Sequence, residues 1–392
     1  MKSVNSVLSL YGTTIFEVMS VLAREHGAIN LGQGFPDEDG PSDLKALANT
    51  HMVENLNQYP PMMGVAELRQ AVAEQSQRFH DMEVDWETEV LVTSGATEAL
   101  ADCMLALLDP GDEVVVIEPV YDSYMPMIIR AGGVPRTVRL TPPEWSLPEE
   151  ELKAAFSNRT KLVLLNSPQN PAGKVFTPAE LFVLADLITK HDAYAICDEV
   201  YEHIIFDGHS HTPLMSLPGM RERCVRVGSA GKTFSMTGWK VGYVTAPPAL
   251  LAAIAKAHQF ITFTTPPMLQ VAVAEGLNKD KTYFDGLAAG LQTKRDRLAA
   301  GLSEAGLDVN MPAGTYFLNA DIRPTGFSGD DVAFCREMTR EAGVTMLPVS
   351  AFYVENEHAE PMPRHFVRFC FAKKHDVLDA ACEKLMAYFK SP

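Results

Sequence analysis

Long apolar runs are missing from this chain. No stretch reaches the roughly 18 apolar residues that a membrane-spanning helix needs. The opening MKSVNSVLSLYGTTIFE has no uninterrupted apolar core leading to a cleavage site, so a secretory signal is not expected and a cytoplasmic enzyme is. Positive charge is scarce as well: 33 Lys and Arg stand against 50 Asp and Glu, a formal net charge of −17. That excess opposes partners such as nucleic acid and anionic membrane surfaces, which attract basic patches. It still allows a locally basic site for a small anion. Cysteine is sparse: six thiols (Cys103, Cys197, Cys224, Cys335, Cys370 and Cys382) lie scattered with no Cys-x-x-Cys pair. Reduced core thiols are therefore expected, with neither a disulfide framework nor a metal site. Internal repeats and low-complexity tracts are absent too.

What is present reads as an ordinary globular protein. Of the 392 residues, 46% are hydrophobic and 21% charged, enough for a sizeable core and two or three domains. Short apolar runs alternate with helix-like stretches. EVLVT precedes ATEALADCMLALLD, EVVVIEP precedes YDSYMPMIIRAGG, and KLVLLNSP precedes TPAELFVLADLITKH. In the last of these, Thr177 reads as an N-cap and Pro178 as the first helical residue. AYAICDEVY, CVRVGSA and VGYVTAP follow. Runs such as Leu162–Leu165 are apolar throughout, as strands buried on both faces are. The expected fold class is α/β: a mostly parallel sheet covered by helices over residues 45–285, then a smaller α+β domain over 286–392. Residues 1–44 read as turn-rich and are expected to pack against the smaller domain.

In open α/β sheets, ligands bind beyond the carboxyl ends of the strands. The polar residues at those ends form an unusual set. Ser94, Gly95, Ala96 and Thr97 open a helix after EVLVT. Tyr121 follows EVVVIEP, and Asn170 lies in the segment after KLVLLN. Asp198 and Tyr201 follow AYAIC, and Ser229 and Lys232 follow VRVG. Gly231-Lys232-Thr233 hints at a nucleotide P-loop, but Arg226 occupies the position of that motif's first glycine. Gly32-Gln33-Gly34 runs into Phe-Pro-Asp instead of a helix, which removes the dinucleotide fingerprint. The chemistry that needs a lysine, a buried acid, a phenol, an amide, an aromatic face and an anion cradle together is carbanion stabilisation on pyridoxal phosphate.

Three segments carry a resemblance: NSPQNPAG, CDEVYEH and SAGKTFSMTGWKVGY, tightened by INLGQGFPDEDGP and RHFVRFCFAKK. Over essentially its full length the chain resembles the fold-type I, class I/II aminotransferases that use pyridoxal 5'-phosphate. Within them it is similar to the kynurenine/glutamine transaminase and bacterial methionine aminotransferase branch. The resemblance implies a large domain with a seven-stranded sheet, a small domain, and a homodimer whose active sites are shared across the interface. It implies that Lys232 forms the Schiff base and moves protons, that Asp198 pairs with the pyridinium nitrogen, and that Asn170 and Tyr201 bond the ring's 3′ oxygen. Tyr121 would stack on the ring. Ala96, Thr97, Ser229 and Lys240 would hold the phosphate, joined by Tyr59 from the partner subunit. Many class I enzymes carry arginine where this chain has Lys240; lysine is usual in the kynurenine transaminase-like branch.

For the substrate, the resemblance implies that Arg368 clamps the α-carboxylate beside Gly34 and Asn170. Phe16, with Phe263 and Tyr59 of the neighbouring subunit, would line an apolar pocket. No second arginine is assigned to a side-chain carboxylate, with Arg130, Arg136 and Arg139 left open. Thr264 falls beside Phe263 where some relatives have histidine, which sets methionine with a broad range ahead of kynurenine. The implied reaction is ping-pong transamination between an L-amino acid of the methionine, aromatic, kynurenine or glutamine type and a 2-oxo acid. Two alternatives stand beside it: a pyridoxal phosphate-dependent β-lyase of cysteine S-conjugates or cystathionine, and a non-catalytic pyridoxal phosphate-binding regulator.

Overall fold

The structure is a computed structural model that describes residues 2, 4–54, 56–354 and 361–390. Its centre is a seven-stranded sheet with the strand order Val90–Thr93, Gly242–Thr245, Cys224–Ser229, Tyr194–Asp198, Thr160–Asn166, Glu113–Glu118 and Val134–Arg139. Only Gly242–Thr245 runs antiparallel to its neighbours; every other pairing is parallel. Successive residues of one strand serve opposite sides. Val114 and Val116 join one apolar cluster, and Val115 and Ile117 join another. That is why these strands are apolar throughout and do not alternate.

The helices are set locally. Thr177 accepts the Glu180 N–H while the Glu180 side chain accepts the Thr177 N–H, and Pro178 opens the helix Pro178–Lys190. This capping box satisfies N–H groups that a helix start otherwise leaves orphaned. All six cysteines are free and buried. Among the described residues, no helix is long and apolar enough to cross a membrane.

A second sheet of four antiparallel strands has the order Leu347–Pro348, Phe366–Cys370, Phe317–Asp321 and Asp308–Asn310. The helices Lys281–Glu304 and His375–Lys390 pack with it in one hydrophobic cluster. The amino-terminal segment joins that cluster through Met19 and Leu31, and Ile29–Asn30 pairs in parallel with Val344–Thr345. It is less turn-rich than its sequence suggests. Ile15–His26 is a helix, capped by the Thr14 side chain on the Glu17 N–H and closed by Gly27 at φ 59. Both caps are ordinary signals; the glycines and polar residues around them masked the helix.

Candidate active site

A cavity of about 380 Å³ opens where the strand ends meet the second sheet. Twelve of the fourteen residues singled out in the sequence line it: Phe16, Gly34, Ala96, Thr97, Tyr121, Asn170, Asp198, Tyr201, Ser229, Lys232, Lys240 and Arg368. Tyr59 and Phe263 do not. They meet edge to face at 5.5 Å on the surface, with Tyr59 83% exposed. Of the arginines left open, none lines the cavity. Arg136 pairs with Glu113 and Arg139 with Glu118.

At one end of the cavity lies the start of the helix Gly95–Leu107. Gly95 has φ +79, the left-handed region that suits glycine, and a Cβ there would lie 3.3 Å from the Lys240 Nζ. Lys240 is itself left-handed at φ 52, a conformation that costs a non-glycine residue about 1–2 kcal/mol. Strain of this kind concentrates at functional positions. The Ser94 N–H donates to the Glu98 carboxylate, which also meets His258 Nδ1 at 2.8 Å, and His258 Nε2 lies 3.1 Å from the Met62 carbonyl. The helix start is thus held from behind, leaving free N–H groups, positive helix-end potential and an ammonium together. An anion suits that combination.

At the floor, Asp198 is buried and accepts the Tyr124 hydroxyl at 2.5 Å. Burial raises its pKa; the Tyr124 bond and the Lys232 charge oppose the rise. Lys232 sits on the short helix Ala230–Thr233 after the strand Cys224–Ser229. Burial pushes its amine down to about 8, with Asp198 opposing. The amine donates to the Tyr316 hydroxyl at 3.1 Å, between the rings of Tyr201 and Tyr316. An amine that releases its proton near pH 8, well below the ordinary lysine value, is far more available as a nucleophile and a base than a solvated lysine.

On the facing strand, Arg368 is fully buried, and burial lowers its pKa to about 10. Its guanidinium donates to Asn170 Oδ1 at 2.8 Å and to the Gly32 carbonyl at 2.7 Å. Nε has no partner. Phe317, Phe352 and Phe16 surround it, the nearest ring centroid at 3.9 Å. A buried cation held only by neutral acceptors is set for a carboxylate. Asn166 fixes the turn carrying Asn170: its Oδ1 accepts the Asn170 N–H, and its Nδ2 donates to the Asp198 carbonyl.

Sequence reading missed Tyr124, Asn166, Tyr316 and Phe352. Tyr124 and Asn166 had a signal, one three residues after Tyr121 and the other ending an apolar run. Tyr316 precedes a strand of the second sheet and Phe352 ends the short turn Val349–Phe352 after another, and no local pattern marks them.

Comparison with known proteins agrees with this geometry. The model of the family described as "Aminotransferase class I and II" matches residues 26–385. The methionine aminotransferase of Escherichia coli K12 is 43% identical over 380 residues, 97% of each chain. The kynurenine–oxoglutarate transaminase of Dictyostelium discoideum is 39% identical, covering 96% of this chain and 94% of the relative. The solved N-succinyldiaminopimelate aminotransferase of Mycobacterium tuberculosis superposes with a TM-score of 0.94 at 43% identity, covering 98% of this chain and 100% of that one.

Proposed function

The chain belongs to the class I and II aminotransferase family, whose members depend on pyridoxal phosphate, and from that premise we propose how its residues divide the work. The reading rests on one observation: Lys232, Asp198 and Arg368 line a single cavity, Asp198 and Arg368 buried and Lys232 half-buried, and among the described residues none is neutralised by a salt bridge to another side chain. The cavity residues fit the cofactor. Its anionic end suits the start of Gly95–Leu107, where Ala96, Thr97, Ser229 and Lys240 converge. Its ring nitrogen suits Asp198, its 3′ oxygen suits Asn170 and Tyr201, and its ring face suits Tyr121. When bound, pyridoxal phosphate supplies an electron sink for the pair left on the substrate's α-carbon.

The chain's own groups do the rest. Lys232 would hold the bound cofactor covalently and, once freed by the substrate amine, would take up and return the α-carbon proton. The Tyr124 hydroxyl that donates to Asp198 opposes the effect of burial on its charge, and the ring N–H of a bound cofactor would oppose it further. Arg368, with Asn170 and Gly34, holds the α-carboxylate and so orients the α-hydrogen towards Lys232.

For the substrate we infer methionine first, with aromatic amino acids, kynurenine and glutamine as further donors and a 2-oxo acid as acceptor. Phe16, Tyr121 and Phe352 give an apolar wall beside Arg368, and Arg368 is the one arginine lining the cavity among the described residues. A donor with a side-chain carboxylate would find no second guanidinium there. The names of two relatives, methionine aminotransferase and kynurenine–oxoglutarate transaminase, point the same way.

We further propose a homodimer. The exposed pair Tyr59 and Phe263, with Phe260 81% exposed beside it, gives a patch that a second copy would cover. Tyr59 would then reach the partner's phosphate and Phe263 its substrate pocket. The same reading divides the chain at 44/45 and 285/286, with the continuous helix Lys281–Glu304 leading from the large to the small unit, and it assigns the protein to the cytoplasm, where free thiols persist. A donor screen tests the substrate reading. With the loaded enzyme and several 2-oxo acids, methionine and aromatic donors should exceed aspartate at least about tenfold in kcat/KM, the scale of one hydrogen-bonded charge. Equal use of aspartate contradicts it, and pyruvate with ammonia in the absence of an acceptor would indicate the lyase.

A further inference from the structure

Tyr316 was not singled out in the sequence, yet it joins the two halves of the site. It precedes the strand Phe317–Asp321 and is completely buried. Its hydroxyl donates to the Gly34 carbonyl at 2.8 Å and accepts from the Lys232 Nζ at 3.1 Å. Two residues earlier in the same loop, the Gly32 carbonyl accepts from Arg368 at 2.7 Å. The loop packs closely here: a Cβ on Gly34 would lie 2.7 Å from the Phe317 ring, so the approach needs glycine.

We propose that Tyr316 is a positioning residue that holds the Lys232 amine whenever it is not bonded to the cofactor, and ties that amine to the loop lying beside the substrate carboxylate. The inference rests on the assignment of Lys232 above. One phenol has one proton, and Tyr316 gives it to Gly34. Its oxygen can therefore only accept from the lysine, so a released amine is held with its lone pair available and cannot swing away. Burial keeps the phenol neutral, its pKa well above the ordinary value, so it passes no proton itself. Tyr201 offers its ring at the same 5.6 Å from the amine, but its hydroxyl bonds that of Tyr316 and not the lysine. The charged and titratable groups facing the amine are Asp198, Tyr201, Tyr316, Cys370, Arg368 and Lys240. Of these, Tyr316 alone both touches the amine and reaches the loop.

The test is Tyr316→Phe, which keeps the ring. The first readout uses the chain freed of cofactor. Lys232 is modified with a neutral amine-directed reagent across pH, and its peptide is followed by mass spectrometry. Loss of an acceptor disfavours the ammonium, so the midpoint should fall by about one unit, roughly tenfold in its proton equilibrium. The second readout is steady state with the loaded enzyme: kcat falls and the donor KM rises together, because amine and loop are both released. A purely structural role would lower Tm and leave the modification profile in place. An unchanged profile with unchanged kcat overturns the proposal. Should Tyr316→Phe fail to fold, 3-fluorotyrosine at position 316, a poorer acceptor of the same shape, must move the profile in the same direction; no shift there also overturns it. The outcomes separate from those of the parent reading. If Lys232→Ala loses its bond to the cofactor while Tyr316→Phe behaves as wild type, only this inference fails.

Discussion

Two buried arginines, Arg226 and Arg368, show how differently one side chain can be used in this molecule. Arg226 lies on the strand Cys224–Ser229 and is paired at every nitrogen: Nε to Glu199 at 2.6 Å, Nη2 to Glu202 at 3.0 Å, and Nη1 to the Ser76 hydroxyl at 3.3 Å. His80 and His211 close the cluster against Glu202 and Glu199. Burial alone would lower the Arg226 pKa, but the two carboxylates raise it. Arg368 is equally buried, yet it touches only an amide and a carbonyl, leaves Nε alone, and has its pKa lowered to about 10. The same turn separates them: Asp198 and Tyr201 face the cavity, while Glu199 and Glu202 face Arg226. A saturated cluster anchors the turn, and an unsaturated one across it awaits ligands. Charge burial alone does not mark function; the unpaired valence beside a cavity does.

The comparison can be broken at several points. Lys232→Ala should reduce kcat by at least about 10³-fold, the scale of losing a positioned proton carrier, with little change in Tm. Arg226→Met should destabilise by about 3–5 kcal/mol, because Glu199 and Glu202 would be left buried and unpaired; urea unfolding measures this, and the folded fraction should keep its donor KM. Arg368→Met should do the reverse: donor KM rises about 10- to 100-fold, the worth of hydrogen bonds to a charged group, and stability holds or increases. If both arginine variants lose stability alike, the distinction between anchor and ligand clamp fails.

A smaller effect sharpens the rule. Asp102 is buried with both oxygens unpartnered, but it lies outside the cavity, 3.9 Å from His258. Burial, then the neighbouring Glu98, raises its pKa to about 7. The unfolded chain releases this proton near the ordinary carboxylate value, so between about pH 4 and 7 the native state binds more protons and stability falls as pH rises. Asp102→Asn should flatten that dependence and leave the protein more stable than wild type at pH 8. Tm measured against pH decides; a variant that retains the wild-type slope contradicts the assignment.

The parts of this site legible in the sequence are those made by short stretches of chain. Asp198 and Ser229 end apolar strands and Asn170 lies four residues beyond one, and strand ends of an open sheet face the ligand. Thr177 and Glu180 announce their helix within four residues. What was not legible depends on pairing between distant segments. Tyr316 reaches Lys232 across 84 residues, and the orphaned Nε of Arg368 is a property of its surroundings. The helix Ile15–His26 had its caps in plain sight and was obscured by polar neighbours. Tyr59 and Phe263 belong to a site that one chain does not complete.

The central claim is a covalent bond at one amine. The loaded protein should be reduced with borohydride, digested, and its peptides read by mass. The account predicts the pyridoxyl label on the peptide containing Lys232 and nowhere else; a label on another lysine, Lys240 included, with Lys232 unmodified would contradict it.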